Sequence, residues 1–185
     1  MPSAGAEVIS EGIRSLTDNS GTWAFVDFVL AAAPDGGLPD YTRIDPMRVP
    51  DLVRNMFVID LRNGYADGLL IKFSGTMIDE HFGTNVQGRR LEDVYRGDRD
   101  VTTMRDLYRR CADRSELYFR QRESSYEFNV RGIERGAQDL LIIPASDSRI
   151  DESGKKVLYL IGIASFEIKQ GITETAEVFL PMPVR

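Results

Sequence analysis

The segment Val157–Ile168, VLYLIGIASFEI, constrains the fold most, because it is apolar on both faces when it is read as a β-strand. A strand that buries both faces lies in the middle of a covered sheet. Two other segments, MFVIDLR (Met56–Arg62) and DLLIIPAS (Asp139–Ser146), also have the composition of strands. The chain is therefore predicted to fold around a sheet whose central strand comes late in the sequence.

Helical segments separate the early strands from the late ones. Asp98–Arg114 carries apolar residues at spacings of three and four, and Thr76–Phe82 spans about two turns. The intervening LLIKFSG segment alternates, which predicts Leu69, Ile71 and Phe73 on one face of a strand. Strands interrupted by a block of helices indicate an α+β fold. The simplest arrangement is a five-stranded antiparallel sheet with helices packed on one face, preceded by an N-terminal helix.

Composition and hydropathy exclude several classes of protein. Among 185 residues there is one cysteine, which excludes an internal disulfide and any CxxC motif. The net charge of -6 argues against a broad nucleic-acid surface. The most apolar run, Trp23–Ala33, contains Asp27 and is shorter than the roughly 20 residues of a membrane span. With a polar N-terminus and no signal peptide, the protein is predicted to be cytoplasmic.

The chain is predicted to form one domain with two tails. Residues 1–20 show no sustained period and are expected to be a flexible N-terminal tail, and residues 169–185 a C-terminal tail. The domain, residues 21–168, includes the helix formed by Trp23–Ala33.

The order of elements and several motifs resemble a PAS domain. More narrowly, the chain resembles the bacterial PAS-like family found mainly as stand-alone proteins in alphaproteobacteria. The resemblance covers residues 23–168 and is carried by LPDYTRIDP (Leu38–Pro46), LLIKFSGTMIDEHFGTNVQGRRLEDV (Leu69–Val94), FVIDL, LLIIPAS and YLIGIASFE. It implies the strand order 2-1-5-4-3 and a sensory or regulatory role through ligand binding or protein contact, and it leaves any ligand or cofactor unknown.

The stretch Gly83–Arg90, GTNVQGRR, has the glycine spacing of a phosphate-binding loop but fails as one. Arg89 stands where that motif has lysine, Arg90 stands where it has Ser or Thr, and the stretch does not join a strand to a helix. The interpretation that we favour is structural, with Gly83 ending a helix and Gly88 adopting positive φ in a turn.

Single reactive side chains give weak signals for chemistry. His81, the only histidine, lacks an evident partner as a base and is predicted to lie on the surface of a short helix. Cys111 falls on the apolar face of its helix and is expected to be a buried hydrophobe. Flavin photosensing would need a cysteine after the asparagine of TNVQGR, in an Asn-Cys-Arg-Phe-Leu-Gln context, where this chain has Val86. Three polar residues could bind an anionic partner, namely Arg120, Gln121 and Arg122, but such residues on alternating strands usually face solvent.

Shared faces of the periodic segments predict a ligand region between the sheet and the helices. No catalytic residues and no metal ligands are predicted. The residues predicted to bind a ligand are Phe73, Met77, Phe82, Leu107, Tyr108, Cys111 and Phe128.

A homodimer is predicted from the first long helix. Trp23–Ala33 is apolar nearly all round, and such a helix must be buried on several sides. We expect Phe28 and Leu30 to pack on the chain's own sheet. A second copy is then expected to contact Trp23, Phe25, Val26 and Val29.

Three functions remain open at this stage. The first is a non-catalytic sensory module that binds a small molecule or a protein and acts through a separate signalling protein. The second is a small-molecule isomerase or dehydratase on a cone-shaped α+β fold, which would need an acid–base pair. The third is an assembly domain whose pocket is filled by its own side chains.

Overall fold

The computed structural model describes residues 4–65, 68–95, 98–123, 136–167 and 173–183. Short 3-10 turns at Pro34–Gly36, Tyr41–Arg43 and Pro46–Arg48 connect the second and third helices. The helices are α1 (Ala4–Arg14), α2 (Ser20–Leu30), α3 (Pro50–Val53), α4 (Thr76–Phe82), α5 (Leu91–Val94) and α6 (Asp98–Arg114). The strands are β1 (Met56–Asp60), β2 (Leu70–Ser74), β3 (Glu116–Glu123), β4 (Gly136–Ala145), β5 (Tyr159–Glu167) and β6 (Thr173–Pro181).

The strands form one antiparallel sheet in the order β2-β1-β5-β4-β3-β6. The first five positions reproduce the order 2-1-5-4-3 that the resemblance to PAS domains implies. The α+β prediction is confirmed, and the sheet has six strands because β6 is added at the edge beside β3. The two-faced apolar segment forms β5, which pairs with β1 on one side and β4 on the other.

Helices cover both faces of the sheet, whereas the sequence predicted helices on one face. On the inner face, α4, α5 and α6 pack over one apolar core. On the outer face, α1 and α2 pack over a second core. Strand β5 contributes Tyr159 and Ile161 to the outer core and Leu160 to the inner core, which explains why its sequence is apolar on both faces.

The N-terminal segment contains a helix, so the prediction of a loose tail over residues 1–20 is corrected. Ala6, Ile9 and Ile13 of α1 are buried in the outer core. Their spacing of three and four places them on one stripe of the helix, which packs beside α2. A stripe formed by so few apolar residues is stable only when another element covers it.

Replacing Ile13 by Val is expected to lower the free energy of unfolding by about 1 kcal/mol, because it removes one methylene from a fully buried site. Replacing Val8 by Ala removes more carbon atoms from the same helix, but Val8 is 70% exposed and the loss should stay below about 0.5 kcal/mol. Urea unfolding of both variants measures the difference. Equal effects would mean that α1 does not pack as described.

The C-terminal segment also belongs to the sheet, which corrects the prediction of a tail over residues 169–185. Strand β6 pairs with β3 from Glu116 opposite Pro181 to Glu123 opposite Thr173. Ala176, Val178 and Leu180 pack against the outer core, at the period of two that a strand requires.

The residues predicted to join two copies of the chain instead lie inside one copy. Phe25, Val26 and Val29 are all fully buried in the outer core, and only Trp23 of the predicted interface is partly exposed. Helix α2 needs no second copy because α1 covers one of its sides and the sheet another. The homodimer stays a prediction, but Phe25, Val26 and Val29 cannot form its interface. Light scattering on the intact chain would test whether a dimer forms.

No helix in the described ranges is long and apolar enough to cross a membrane.

Candidate functional site

The loop after α4, Gly83–Arg90, donates hydrogen bonds from its backbone amides to other oxygens of the protein. Amides of this stretch donate to protein oxygens, including Thr84 to Asp79 O, Val86 to Asp79 Oδ1 and Gly88 to Ile71 O. Gly83 ends α4 with φ of 71°, and Gly88 has φ of 79°. A phosphate loop needs free amides that point at the ligand. The loop therefore follows the structural interpretation, and it covers the edge of β2.

The region between the inner face of the sheet and α6 is centred on Tyr108. Tyr108 and Cys111 are buried in the inner core, and Phe82 and Leu107 pack against that core. Tyr118 of β3 lies in the same core and donates a hydrogen bond to Glu177 Oε1 over 2.8 Å. Four of the predicted ligand residues thus surround one interior region, and their role in binding stays a prediction.

Phe73 lies on the other face of the sheet because β2 contains a bulge. Val58 is opposite Phe73 and Ile59 is opposite Ile71, so that Lys72 is an extra residue in β2. A bulge of this kind breaks strict alternation and turns the next side chain over. Phe73 consequently packs with the outer core, while Ile71 stays in the inner core.

One further predicted ligand residue, Met77, lies outside the region around Tyr108. Met77 is half-buried, and its sulfur lies 3.1 Å from Nη2 of Arg54. It belongs to neither apolar core. Phe128 lies outside the described residues.

Arg120 is a functional candidate on the inner face, although the sequence analysis expected it to face solvent. Alternation along β3 places Arg120 on the same face as Tyr118, and its charge lies close enough to lower the pKa of Tyr108. Its Nε atom is buried and has no hydrogen-bond partner. Arg110 of α6, by contrast, is paired with Glu116 over 2.6 Å. A buried guanidinium nitrogen without an acceptor is costly, and it marks a place where a ligand oxygen would be stabilised.

Burial holds Tyr108 and Cys111 of α6 in their neutral forms. Burial raises the pKa of Tyr108 well above its ordinary value, with Tyr95 and Cys111 adding to the shift. Burial also raises the pKa of Cys111 to about 12. Cys111 is therefore a thiol at neutral pH and not a reactive thiolate. The site combines the Arg120 cation with neutral, largely apolar side chains on α6, and the carboxylate of Glu177, opposite Arg120 in β6, accepts the hydrogen bond from Tyr118.

His81 is exposed on α4 and its ring contacts Phe82 edge to face, with ring centroids 5.0 Å apart. This position agrees with the surface location predicted from the sequence. Among the residues that the structure describes, no three His, Cys, Asp or Glu side chains form a group that could hold a metal ion.

A separate groove of about 520 Å³ lies between α1 and α2. Its walls carry Glu7, Glu11 and Asp27, and Asp27 is paired with Arg14. The groove lies beyond the outer core. The residues predicted to bind a ligand do not line it.

Comparisons with known proteins give distant structural likenesses. The LOV domain of the blue-light-activated histidine kinase EL346 from Erythrobacter litoralis is 18% identical, with 62% of this chain and 96% of that domain covered and a TM-score of 0.38. The kinase EL346 itself is 17% identical, with 65% of this chain covered and a TM-score of 0.39. This chain spans 36% of the length of that kinase.

No protein-family profile and no curated protein matches the chain. One of these two solved structures is an isolated LOV domain, and the other is the kinase. With TM-scores below 0.5, these likenesses carry no argument about the chemistry of this protein.

Proposed function

We propose that this protein is a non-catalytic sensory module that binds a small organic anion between the inner face of its sheet and α6. Binding would change its contacts with a separate signalling protein. The observation that carries the proposal is the buried Nε atom of Arg120 beside Tyr108, which has no hydrogen-bond partner among the described residues. An enzyme is less well supported, because burial holds Tyr108 and Cys111 neutral and neither can act as an acid–base catalyst near neutral pH.

A carboxylate is the ligand group that suits this arrangement. The planar guanidinium presents several N–H donors to two oxygens at once, and such charge-assisted hydrogen bonds are about twice as strong as neutral ones. The surrounding Tyr108, Cys111 and Leu107 offer apolar surface to the rest of a small ligand. Most ligand sites combine a largely apolar lining with a few polar anchors.

Replacing Arg120 by Met should stabilise the ligand-free protein and abolish carboxylate binding. Met keeps much of the aliphatic length and removes the buried charge, so the free energy of unfolding should rise by about 1 kcal/mol. Thermal unfolding with acetate, succinate, citrate and benzoate measures both effects. We expect at least one of these acids to raise the Tm of the wild type and to leave the Tm of R120M unchanged.

Arg114→Met provides the matched control, because Arg114 lies exposed at the end of α6. This variant should keep the stability and the ligand response of the wild type. Ligand recovered chemically unchanged after incubation would separate a sensor from an enzyme. If R120M responds to the acids as the wild type does, the proposed site is wrong.

Native mass spectrometry of the purified protein tests the assembly alternative. A bound small molecule that R120M loses would support the sensory module. A mass that matches the bare chain, together with no response to any of the four acids, would favour a domain whose interior is filled by its own side chains.

A further inference from the structure

One end of the sheet gathers charged and aromatic side chains on the outer face. Asp60 ends β1 and is opposite Tyr159, the first residue of β5. Ala145 ends β4 and is opposite Tyr159 from the other side. The chain segments that follow β1 and β4 therefore leave the sheet on either side of Tyr159.

The segment after β1 holds an arginine in a fixed position. Arg62 donates to Asp60 from its backbone amide over 3.0 Å, from Nε over 3.0 Å and from Nη2 over 2.6 Å. Asp60 is 7% exposed, whereas the side chain of Arg62 is 43% exposed. Burial alone would raise the pKa of Asp60, but the hydrogen bonds from Arg62 lower it, so the carboxylate stays ionised.

The segment after β4 repeats the same arrangement. Arg149 donates to Asp147 from its backbone amide over 3.0 Å, from Nε over 3.0 Å and from Nη2 over 2.7 Å. Asp147 is fully buried and Arg149 is exposed. Hydrogen bonds from Arg149 lower the pKa of Asp147. Two Asp-x-Arg units with nearly identical geometry thus flank Tyr159.

A stacked pair of tyrosines and a lysine complete the cluster. The rings of Tyr41 and Tyr159 are stacked with centroids 4.1 Å apart. The ammonium of Lys72 lies 6.0 Å from the first ring and 5.8 Å from the second. Burial raises the pKa of both tyrosines, so they are neutral at neutral pH and do not repel an anion.

The cluster carries excess positive charge on its exposed side. Asp40 and Arg43 balance each other at 3.6 Å. The remaining groups are three cations, namely Arg62, Lys72 and Arg149, against the carboxylates of Asp60 and Asp147. The carboxylates are buried, whereas the guanidinium groups are at the surface.

Arg62, Lys72 and Arg149 have N–H donors that are not used in hydrogen bonds within the described chain. The two arginines use Nε and Nη2 in the hydrogen bonds formed within the described chain, and Nη1 of each is unused. Lys72 forms no ion pair with any described carboxylate. Both guanidinium groups lie within electrostatic reach of Tyr41, whose pKa each of them lowers.

We propose that Arg62, Lys72 and Arg149, which we call the cationic rim, bind the dianionic group of a phosphate monoester or of inorganic phosphate above the Tyr41–Tyr159 pair. Two guanidinium groups held in fixed positions, each with Nη1 unused, and one ammonium offer donors to the several oxygens of a phosphoryl group. The buried carboxylates hold the arginines in place before the ligand arrives, so little side-chain entropy is lost on binding. The rim lies on the outer face, away from Arg120 on the inner face.

The site is tested by titrating the intact protein with inorganic phosphate at constant ionic strength, followed by amide and side-chain NMR shifts. Lys72→Gln removes one cation without breaking an ion pair, so the variant should fold. Phosphate should bind it about tenfold more weakly than the wild type, which corresponds to about 1.4 kcal/mol. Arg149→Lys, which keeps the charge and loses the fork, should also weaken binding several-fold.

Lys156→Gln changes the net charge equally and lies outside the rim, so phosphate binding should remain close to that of the wild type. A pentapeptide Gly-Gly-phosphoserine-Gly-Gly distinguishes the source of the phosphate. Tighter binding of this peptide than of free phosphate indicates a phosphorylated protein, and equal binding indicates the free ion or a small ester. Equal weakening by K72Q and K156Q, or no shifts around Tyr159 at millimolar phosphate, would overturn the proposal.

Discussion

Replacing Gly75 by Ala is expected to lower the free energy of unfolding by at least about 3 kcal/mol, at the upper end of what one inserted methyl group costs. Gly75 is buried between β2 and α4, where its amide donates to Met56 O over 2.9 Å. A Cβ atom at this position would lie far inside contact distance of Val53 O and Arg54 O. These atoms belong to the backbone, so no rotamer change can relieve the clash.

The space around Gly75, and not its backbone conformation, causes this effect. Its φ of -77° and ψ of 163° are accessible to any residue. The close approach lets Arg54 O accept the amide of Met77 over 2.8 Å, which fixes the start of α4 against the end of α3. A side chain at Gly75 must therefore push α3 and α4 apart.

Gly88→Ala is the control, because its cost comes from backbone conformation and not from a steric clash. Gly88 has φ of 79°, but no atom lies within 4 Å of the position of its Cβ. Alanine there costs only the left-handed backbone conformation, about 1 kcal/mol. Urea unfolding of the two variants compares a steric cost with a conformational one. A smaller loss for G75A than for G88A would contradict the close packing of α3 on α4.

The architecture of the sheet was largely predictable because the sequences of its central strands are clearly apolar. The two-faced apolar pattern of Val157–Ile168 predicted a central strand, and β5 occupies that position. The helix over Asp98–Arg114 was predicted with the bounds of α6, because its apolar stripe is long and regular.

The edges of the fold were not predicted because their patterns are short. In β6, Ala176, Val178 and Leu180 alternate with polar residues, which is typical of an edge strand but also of many surface segments. The stripe of α1 has only Ala6 and two isoleucines in the outer core. Such short patterns become informative only when the element that covers them is known.

The candidate site was predicted in part, and the error at Phe73 has a specific cause. Strict alternation from Leu69 through Ile71 predicts Phe73 on the inner face. The extra residue Lys72 reverses it, and nothing in the residue types of β2 marks the bulge. Arg120 was dismissed as solvent-facing because alternation identifies a face without showing which face α6 covers.

The buried carboxyl of Asp139 connects the N-terminal helices to the sheet. Asp139 is fully buried, and its Oδ2 accepts hydrogen bonds from the hydroxyls of Thr17 and Thr22, each over 2.8 Å. Its Oδ1 has no partner. Thr17 also accepts a hydrogen bond from Gln121 Nε2 over 3.1 Å. The carboxyl thus joins the connection between α1 and α2 to β3 and β4.

Burial raises the pKa of Asp139 above its ordinary value of 3.8, and the charge of Asp18 adds to the shift. Hydrogen bonds from Thr17 and Thr22 act in the opposite direction, because they favour the ionised form. A carboxyl whose pKa is higher in the folded state than in the unfolded state contributes stability at low pH. That contribution is lost as the pH rises through the pKa of the folded state.

The double variant Thr17→Val/Thr22→Val should therefore be destabilised most at neutral and alkaline pH. Each hydroxyl hydrogen bond to a charged group contributes about 2 kcal/mol, so the loss at about pH 8 should reach about 4 kcal/mol. The folded-state pKa of Asp139 rises further without these donors. At about pH 4 the carboxyl is largely protonated in the variant, and the loss should be clearly smaller.

Urea unfolding of the wild type and the double variant across this pH range measures the difference. Adding Asp139→Asn to both proteins removes the ionising group, so the effect of the two Thr→Val changes should then be nearly independent of pH. A loss that is the same at both pH values with Asp139 present would show that the two hydroxyls do not stabilise an ionised carboxylate. If the destabilisation by the two Thr→Val changes still depends on pH with Asn at position 139, the pH dependence comes from Asp18 or another group. A loss independent of pH would mean that other contacts support the charge of Asp139. Asp139 would then not be the electrostatic link between the N-terminal helices and the sheet.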